Sequence, residues 1–126
     1  MNKLHDSILD VLEENDFSVC SMDEQNGKTV AELEWYSPAG EDVIITVWFN
    51  GTNSGFVDGF TNYAADFDPD EHAEMWVESR GKNGVPSSIR ELINDADAIN
   101  EMLESMAIKL NALVILDAIK GGNDHV

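Results

Sequence analysis

From Ile89 onward, apolar residues recur at Leu92, Ala96, Ile99, Leu103, Met106, Leu110 and Leu113, in alternating steps of three and four, and no Gly or Pro intervenes before Gly121-Gly122. That spacing keeps one stripe of a 3.6-residue helix apolar. With Pro86 and the capping residue Ser87 ahead of it, it predicts one helix over about 87–119, on the order of 45–50 Å long at 1.5 Å per residue. Such a helix outruns a domain of 126 residues. Its last turns (Leu113, Val114, Ile115, Leu116, Ala118, Ile119) are apolar nearly all round and need a second cover. The N-terminal helix, a Trp-rich sheet or a second copy of the chain would supply it, and the expectation is a homodimer through this helix. The alternative is a two-helix hairpin hinged at Asn94–Asp97, a stretch with no Gly or Pro to turn on.

Upstream, the periodicity changes. Leu4, Ile8, Leu9, Val11 and Leu12 against Asp6, Asp10, Glu13 and Glu14 predict an amphipathic helix over about 2–14, ended by Asn15-Asp16. Phe17, Val19 and Met22 then alternate with serines as in a strand. Gln25-Asn26-Gly27 marks a tight hairpin turn, since Asn-Gly tolerates the positive φ values it needs. Val30 to Tyr36 reads as a second strand, with Glu32 and Glu34 on one face, and Ser37-Pro38-Ala39-Gly40 as the next turn. The near-continuous apolar run Val43–Phe49 predicts a strand covered on both faces. Phe56, Phe60 and Tyr63 are read as a fourth strand bent at Gly59. Asp68-Pro69-Asp70-Glu71 opens a short helix to about Ser79, with Ala73, Trp76 and Val77 inward. The fold class that follows is α+β: an N-terminal helix, a three- to four-stranded antiparallel meander, a short helix and a long C-terminal amphipathic helix packed on the sheet, as one domain over residues 1–126.

Charge narrows what such a fold does. Eighteen of the 25 acidic residues lie between Leu4 and Ser79 with a single cation, Lys28, and the net charge is −18. A field of that sign repels nucleic acid, anionic lipid and anionic metabolites, and attracts basic protein surfaces or cations. Yet three Trp, five Phe and two Tyr are too much apolar material for a disordered acidic tail. No run approaches the ~18–20 apolar residues of a membrane span. Asp6 and Asp10 fall where a signal peptide would be apolar. The expected setting is cytoplasmic, with neither a membrane nor direct nucleic-acid contact.

The residues that carry chemistry form no recognisable site. Cys20, the lone cysteine, falls in an alternating apolar run and reads as a buried, inert thiol. Asp66, Asp68 and Asp70 take the first, third and fifth places of an EF-hand-like loop, but Glu71 stands where Gly is needed and Val77 where Glu is needed. An acid-rich helix N-terminus explains them as well. His5, His72 and His125 show no metal-ligand spacing and read as surface residues. Nucleophile elbows and phosphate loops are absent from the sequence, and the pairs Glu32/Glu34 and Glu41/Asp42 are too ordinary here to mark acid–base catalysis. No enzyme, metal or cofactor is expected. Arg80, Lys82 and Arg90 form one basic island, read as pairing with the chain's own acids and too small to hold duplex DNA.

Phe67-Asp68-Pro69-Asp70-Glu71-His72-Ala73-Glu74-Met75-Trp76-Val77-Glu78, followed by Gly84-Val85-Pro86-Ser87-Ser88-Ile89-Arg90-Glu91-Leu92, resembles a pattern in small acidic proteins of phages and mobile elements in Gram-positive bacteria. The resemblance spans roughly residues 65–107 and implies an accessory role in a mobile element; it assigns no functional residue. Such elements often encode acidic proteins that imitate DNA phosphates, which is an analogy of class only. The sequence expectation is therefore a non-enzymatic acidic module that binds a basic nucleic-acid-binding protein through Glu32, Glu34, Asp66, Asp68, Asp70, Glu71, Glu74 and Glu78. The alternative is a chaperone-like or adaptor dimer, similar in architecture to type III secretion chaperones, holding a partner segment in an apolar groove. Exposure of Trp35, Trp48 or Trp76 would favour that alternative.

Overall fold

His5 starts the first helix. Its ring nitrogen accepts the Ser7 amide at 3.0 Å, and α1 runs Asp6–Glu14 with Ile8 and Leu12 buried. The computed structural model describes residues 4–79 and 88–116. Asp16 adopts φ 67°, which lets the Phe17 amide turn back to the Leu12 carbonyl at 2.9 Å and send the chain into a strand. Three strands follow: β1 (Ser18–Gln25), β2 (Lys28–Tyr36) and β3 (Asp42–Phe49), antiparallel in the order β1-β2-β3. The β1–β2 turn takes φ 53° at Asn26 and 80° at Gly27, the left-handed pair expected of Asn-Gly.

Strand pleating divides the sheet into two faces. Ala31 and Leu33 of β2 and Ile45, Val47 and Phe49 of β3 point into the core. The register places Glu32 opposite Thr46, Glu34 opposite Ile44, and Tyr36 opposite Asp42 on the other face. That face is open: Ile44 is 44% and Trp48 49% exposed. The expectation that β3 is covered on both sides is thus corrected. Its outward apolar residues are left at the surface.

The segment read as a fourth strand is helical. The helix α2 spans Asn53–Asp66, started by Thr52, whose hydroxyl accepts the Gly55 amide at 3.0 Å. Phe56, Val57, Phe60 and Ala64 are all buried, and the adjacent pair Phe56-Val57 with steps of three and four fits one side of a helix, not an alternating strand. The helix α3 spans Pro69–Ser79, and Asp68 caps it by accepting the Asp70 amide at 2.9 Å. Val77, expected inward, is 52% exposed. The helix α4 is one uninterrupted element over Ile89–Ile115, about 40 Å long at 1.5 Å per residue. It has no hinge at Asn94–Asp97, and its cap is Ser88, which accepts the Glu91 amide at 3.1 Å. Ser87, Ala118 and Ile119 lie outside the described residues.

One apolar cluster unites these elements. α2 lies against β3, and α4 packs across α1, α2 and α3. Ile99, Leu103, Met106 and Leu110 of α4 share the core with Ile8, Leu33, Ile45, Phe56 and Phe60. Burying each such side chain is worth roughly 1.5–3 kcal/mol. Edge-to-face rings add orientation: Phe49–Phe56 centroids are 5.5 Å apart and Phe17–Phe60 6.2 Å. Ile89, first in the predicted stripe, is exposed instead, as are Ile115 and Leu116 at the other end. Among the described residues no helix is long and apolar enough to cross a membrane.

Candidate functional site

The structure places the predicted binding residues in several separate places. Glu32 and Glu34 lie on the open sheet face, as their alternation required. Ser21 of β1 donates to Glu32 across the strands at 3.3 Å. Asp66, Asp68 and Glu71 line a cleft of about 330 Å³ at the α2–α3 corner, together with Tyr63, Phe67, His72 and Met75. Asp70 is exposed on the first turn of α3, and Glu74 lines a separate apolar groove between α3 and α4 with Val77, Ile89 and Ile93. Glu78 belongs to α3, and its side chain lies outside what the structure describes. The eight acids therefore do not make one face.

On the sheet the structure adds residues outside the predicted binding set. Asp42 begins β3 beside Glu34, and the two carboxyl groups are close enough to share a hydrogen bond. That bond, together with desolvation and the charge of Asp42, raises the Glu34 carboxyl above its ordinary value, while the Tyr36 hydroxyl, donating to Glu34, offsets part of the rise. Tyr36 is 60% exposed and its phenol is pushed up, first by the charge of Glu34 and then by Asp42. Among the described residues no Lys or Arg forms an ion pair with Glu34 or Asp42. Lys28 sits at the far end of the sheet, opposite Gln25 at the hairpin tip. Two like charges held side by side at a surface are relieved by a proton or by an incoming cation.

Cys20 is exposed at the irregularity in β1 between Val19 and Ser21, correcting the expectation of burial. Desolvation and then the charges of Glu34, Glu32 and Asp42 raise its thiol above the ordinary value, which disfavours the thiolate.

The sequence also missed a buried polar cluster under the β2–β3 turn. Asp95 of α4 is 3% exposed. It accepts the Ser37 hydroxyl at 2.5 Å and the Ala39 amide at 2.9 Å. Ser37 in turn accepts the Glu41 amide at 2.9 Å, and Gly40 (φ 93°) closes the turn. His72 of α3 bonds through Nε2 to Glu41 Oε1 at 3.0 Å. His72 is therefore half-buried and partnered rather than an ordinary surface histidine. Burial lowers its pKa, with the charge of Asp95 opposing. Burial pushes Asp95 upward, but hydrogen bonds from Glu41, Ser37 and Ala39 outweigh it, and its carboxyl lies below its ordinary value.

His5 likewise serves the fold, capping α1 while its backbone amide donates to the buried Asn53 at 2.8 Å. His125, Arg80 and Lys82 lie outside the described residues; Arg90 is exposed at the start of α4. Among the described residues no group of three or more His, Cys, Asp or Glu is arranged to hold a metal ion. Among the family models, curated proteins and solved structures compared with the chain, none matches it.

Proposed function

We propose that this chain is a non-enzymatic acidic module that binds a basic protein surface, of the kind that holds nucleic acid, and that the open sheet face makes the contact. The observation that carries this reading is the adjacency of Glu34 and Asp42 on an exposed face, in line with Glu32, with Ile44 opposite Glu34 and Trp48 further along β3. A guanidinium placed between the two carboxylates relieves their repulsion with charge-assisted hydrogen bonds. A second cation stacks on Trp48. The acids around the α2–α3 corner extend the negative field and steer encounter with little energy per residue. The resemblance of residues 65–107 to acidic proteins of mobile elements implies an accessory role, with which such a partner agrees by analogy only.

The exposed Trp48 favours a second reading in which the contact is chiefly apolar, as in an adaptor or chaperone-like dimer. Capture from lysate at low salt, followed by stepwise salt elution, separates the two. For the acidic reading, basic nucleic-acid-binding proteins leave at moderate salt, and the triple change Glu32→Gln, Glu34→Gln, Asp42→Asn abolishes their capture. Partners that persist at high salt and are lost only with Trp48→Ser would replace that reading with the adaptor.

A further inference from the structure

We infer that Glu41 and Asp95 share one proton as a buried carboxyl pair, and that this proton latches the Ser37–Glu41 turn onto α3 and α4. The turn, α3 and α4 meet at these side chains, which come from sequence positions 31 to 58 residues apart. The argument begins with an orphan atom. Glu41 Oε2 is buried and accepts no hydrogen bond, although the side chain as a whole is only 12% exposed. A buried carboxylate oxygen without a donor is costly. The polar group beside it is the Asp95 carboxyl, itself an acceptor, so two ionised groups would face each other out of water.

A proton on Glu41 resolves both defects. Oε2–H donates to Asp95, and Oε1 accepts from the Nε2–H of a neutral His72. Asp95 then receives three donors, from Glu41, Ser37 and the Ala39 amide, and bears the cluster's single negative charge. Burial, then the bond to Asp95 and its charge, hold the Glu41 carboxyl at about 8, far above its ordinary 4.5. The charged groups around the pair are few. His72 faces it from α3 and lines a cleft with Asp66, Asp68 and Glu71, and Arg90 and Glu91 of α4 line a cleft of about 450 Å³ with Asp95.

The sign of the pH response follows. Glu41 has a folded pKa above its unfolded value, so the stability it contributes is complete below about 4.5 and is lost as pH rises toward about 8. His72 acts oppositely: its pKa is lowered, so its contribution is present above 6.5 and is lost on acidification. The latch therefore loosens on the alkaline side. The Ser37–Glu41 turn leads directly into Asp42, the first residue of β3.

The experiment is a carbon-detected NMR titration of the side-chain carboxyl groups of the full chain, with the Ala39 amide and the His72 ring followed in the same spectra. One glutamate is expected to titrate near 8, with Ala39 and His72 shifting at the same midpoint. Glu41→Gln removes that titration and the linked shifts, and Asp95→Asn moves the Glu41 midpoint down. The inference is overturned if Glu41 titrates with the ordinary carboxylates at about 4, or if it titrates high while Ala39 and His72 stay still. The wild-type titration decides by itself should a variant fail to fold.

Discussion

A Cβ built at Gly59 would lie 2.7 Å from Val47 Cγ1 and 3.1 Å from the Trp48 carbonyl. The second of these is backbone and cannot rotate away, so α2 approaches β3 only because residue 59 lacks a side chain. Gly59→Ala is expected to cost about 1–3 kcal/mol through overpacking, seen as a lower urea midpoint with an unchanged slope. An unchanged midpoint would mean that α2 slides without penalty and that the contact does not set the fold. Sequence reading at this scale worked where the cause is local. Asn26-Gly27 and Asp68-Pro69 each announce their own geometry, because the turn and the cap are made by residues two or three apart. It failed where the cause is tertiary. Nothing near His72 or Asp95 in sequence shows that they meet beneath the Ser37 turn, and Asp95 lies 58 residues from the hydroxyl that it accepts. Cys20 departs from the expectation of burial because an alternating apolar pattern does not reveal an edge strand, and β1, at the sheet edge with a register shift at Val19/Ser21, buries none of its residues.

Among the elements, α4 was legible almost to its ends, since a stripe in steps of three and four admits one periodicity only. Asp97 is exposed near the helix's first third, between the buried Ala96 and Ile99. Asp97→Pro removes a helical hydrogen bond and forces a kink, and is expected to cost about 3 kcal/mol or more, measured by chemical unfolding followed through helical circular dichroism. A hinged pair of helices would accept that proline at little cost, so near-wild-type stability would contradict a continuous α4. The helix α2 was misread for an instructive reason. Phe56, Phe60 and Tyr63 are strand-favouring by type, and a glycine among them reads as a bulge. Their spacing of four and three was the better signal, and the Thr52 cap, three residues before the amide it accepts, was there to support it. Strand β3 shows the converse: its near-continuous apolar run reads as two covered faces, while Ile44 and Trp48 stay at the surface.

For the whole molecule, the charge balance of −18 sets the sign of any partner, and the fold decides where the charge is presented. Of the predicted acids, Glu32 and Glu34 lie on the open sheet face, Asp66, Asp68 and Glu71 at the α2–α3 corner, and Glu74 in the α3–α4 groove, so they present one negative field from several surfaces. Apolar residues are also exposed elsewhere, among them the groove of Val77, Ile89 and Ile93 and the last turns of α4 at Ile108, Ile115 and Leu116. The expected homodimer concerns the second of these. The most direct measurement of the central claim is chemical-shift mapping of the full chain against a defined arginine-rich peptide, at about 50 mM and about 500 mM salt, between which the Debye length falls from about 14 Å to about 4 Å. We expect perturbations centred on Glu32, Glu34, Asp42 and the Trp48 indole at low salt, and their loss at high salt. Perturbations confined to the α3–α4 groove or the α4 end, or shifts on the sheet that survive high salt unchanged, would contradict an acidic sheet face as the binding surface.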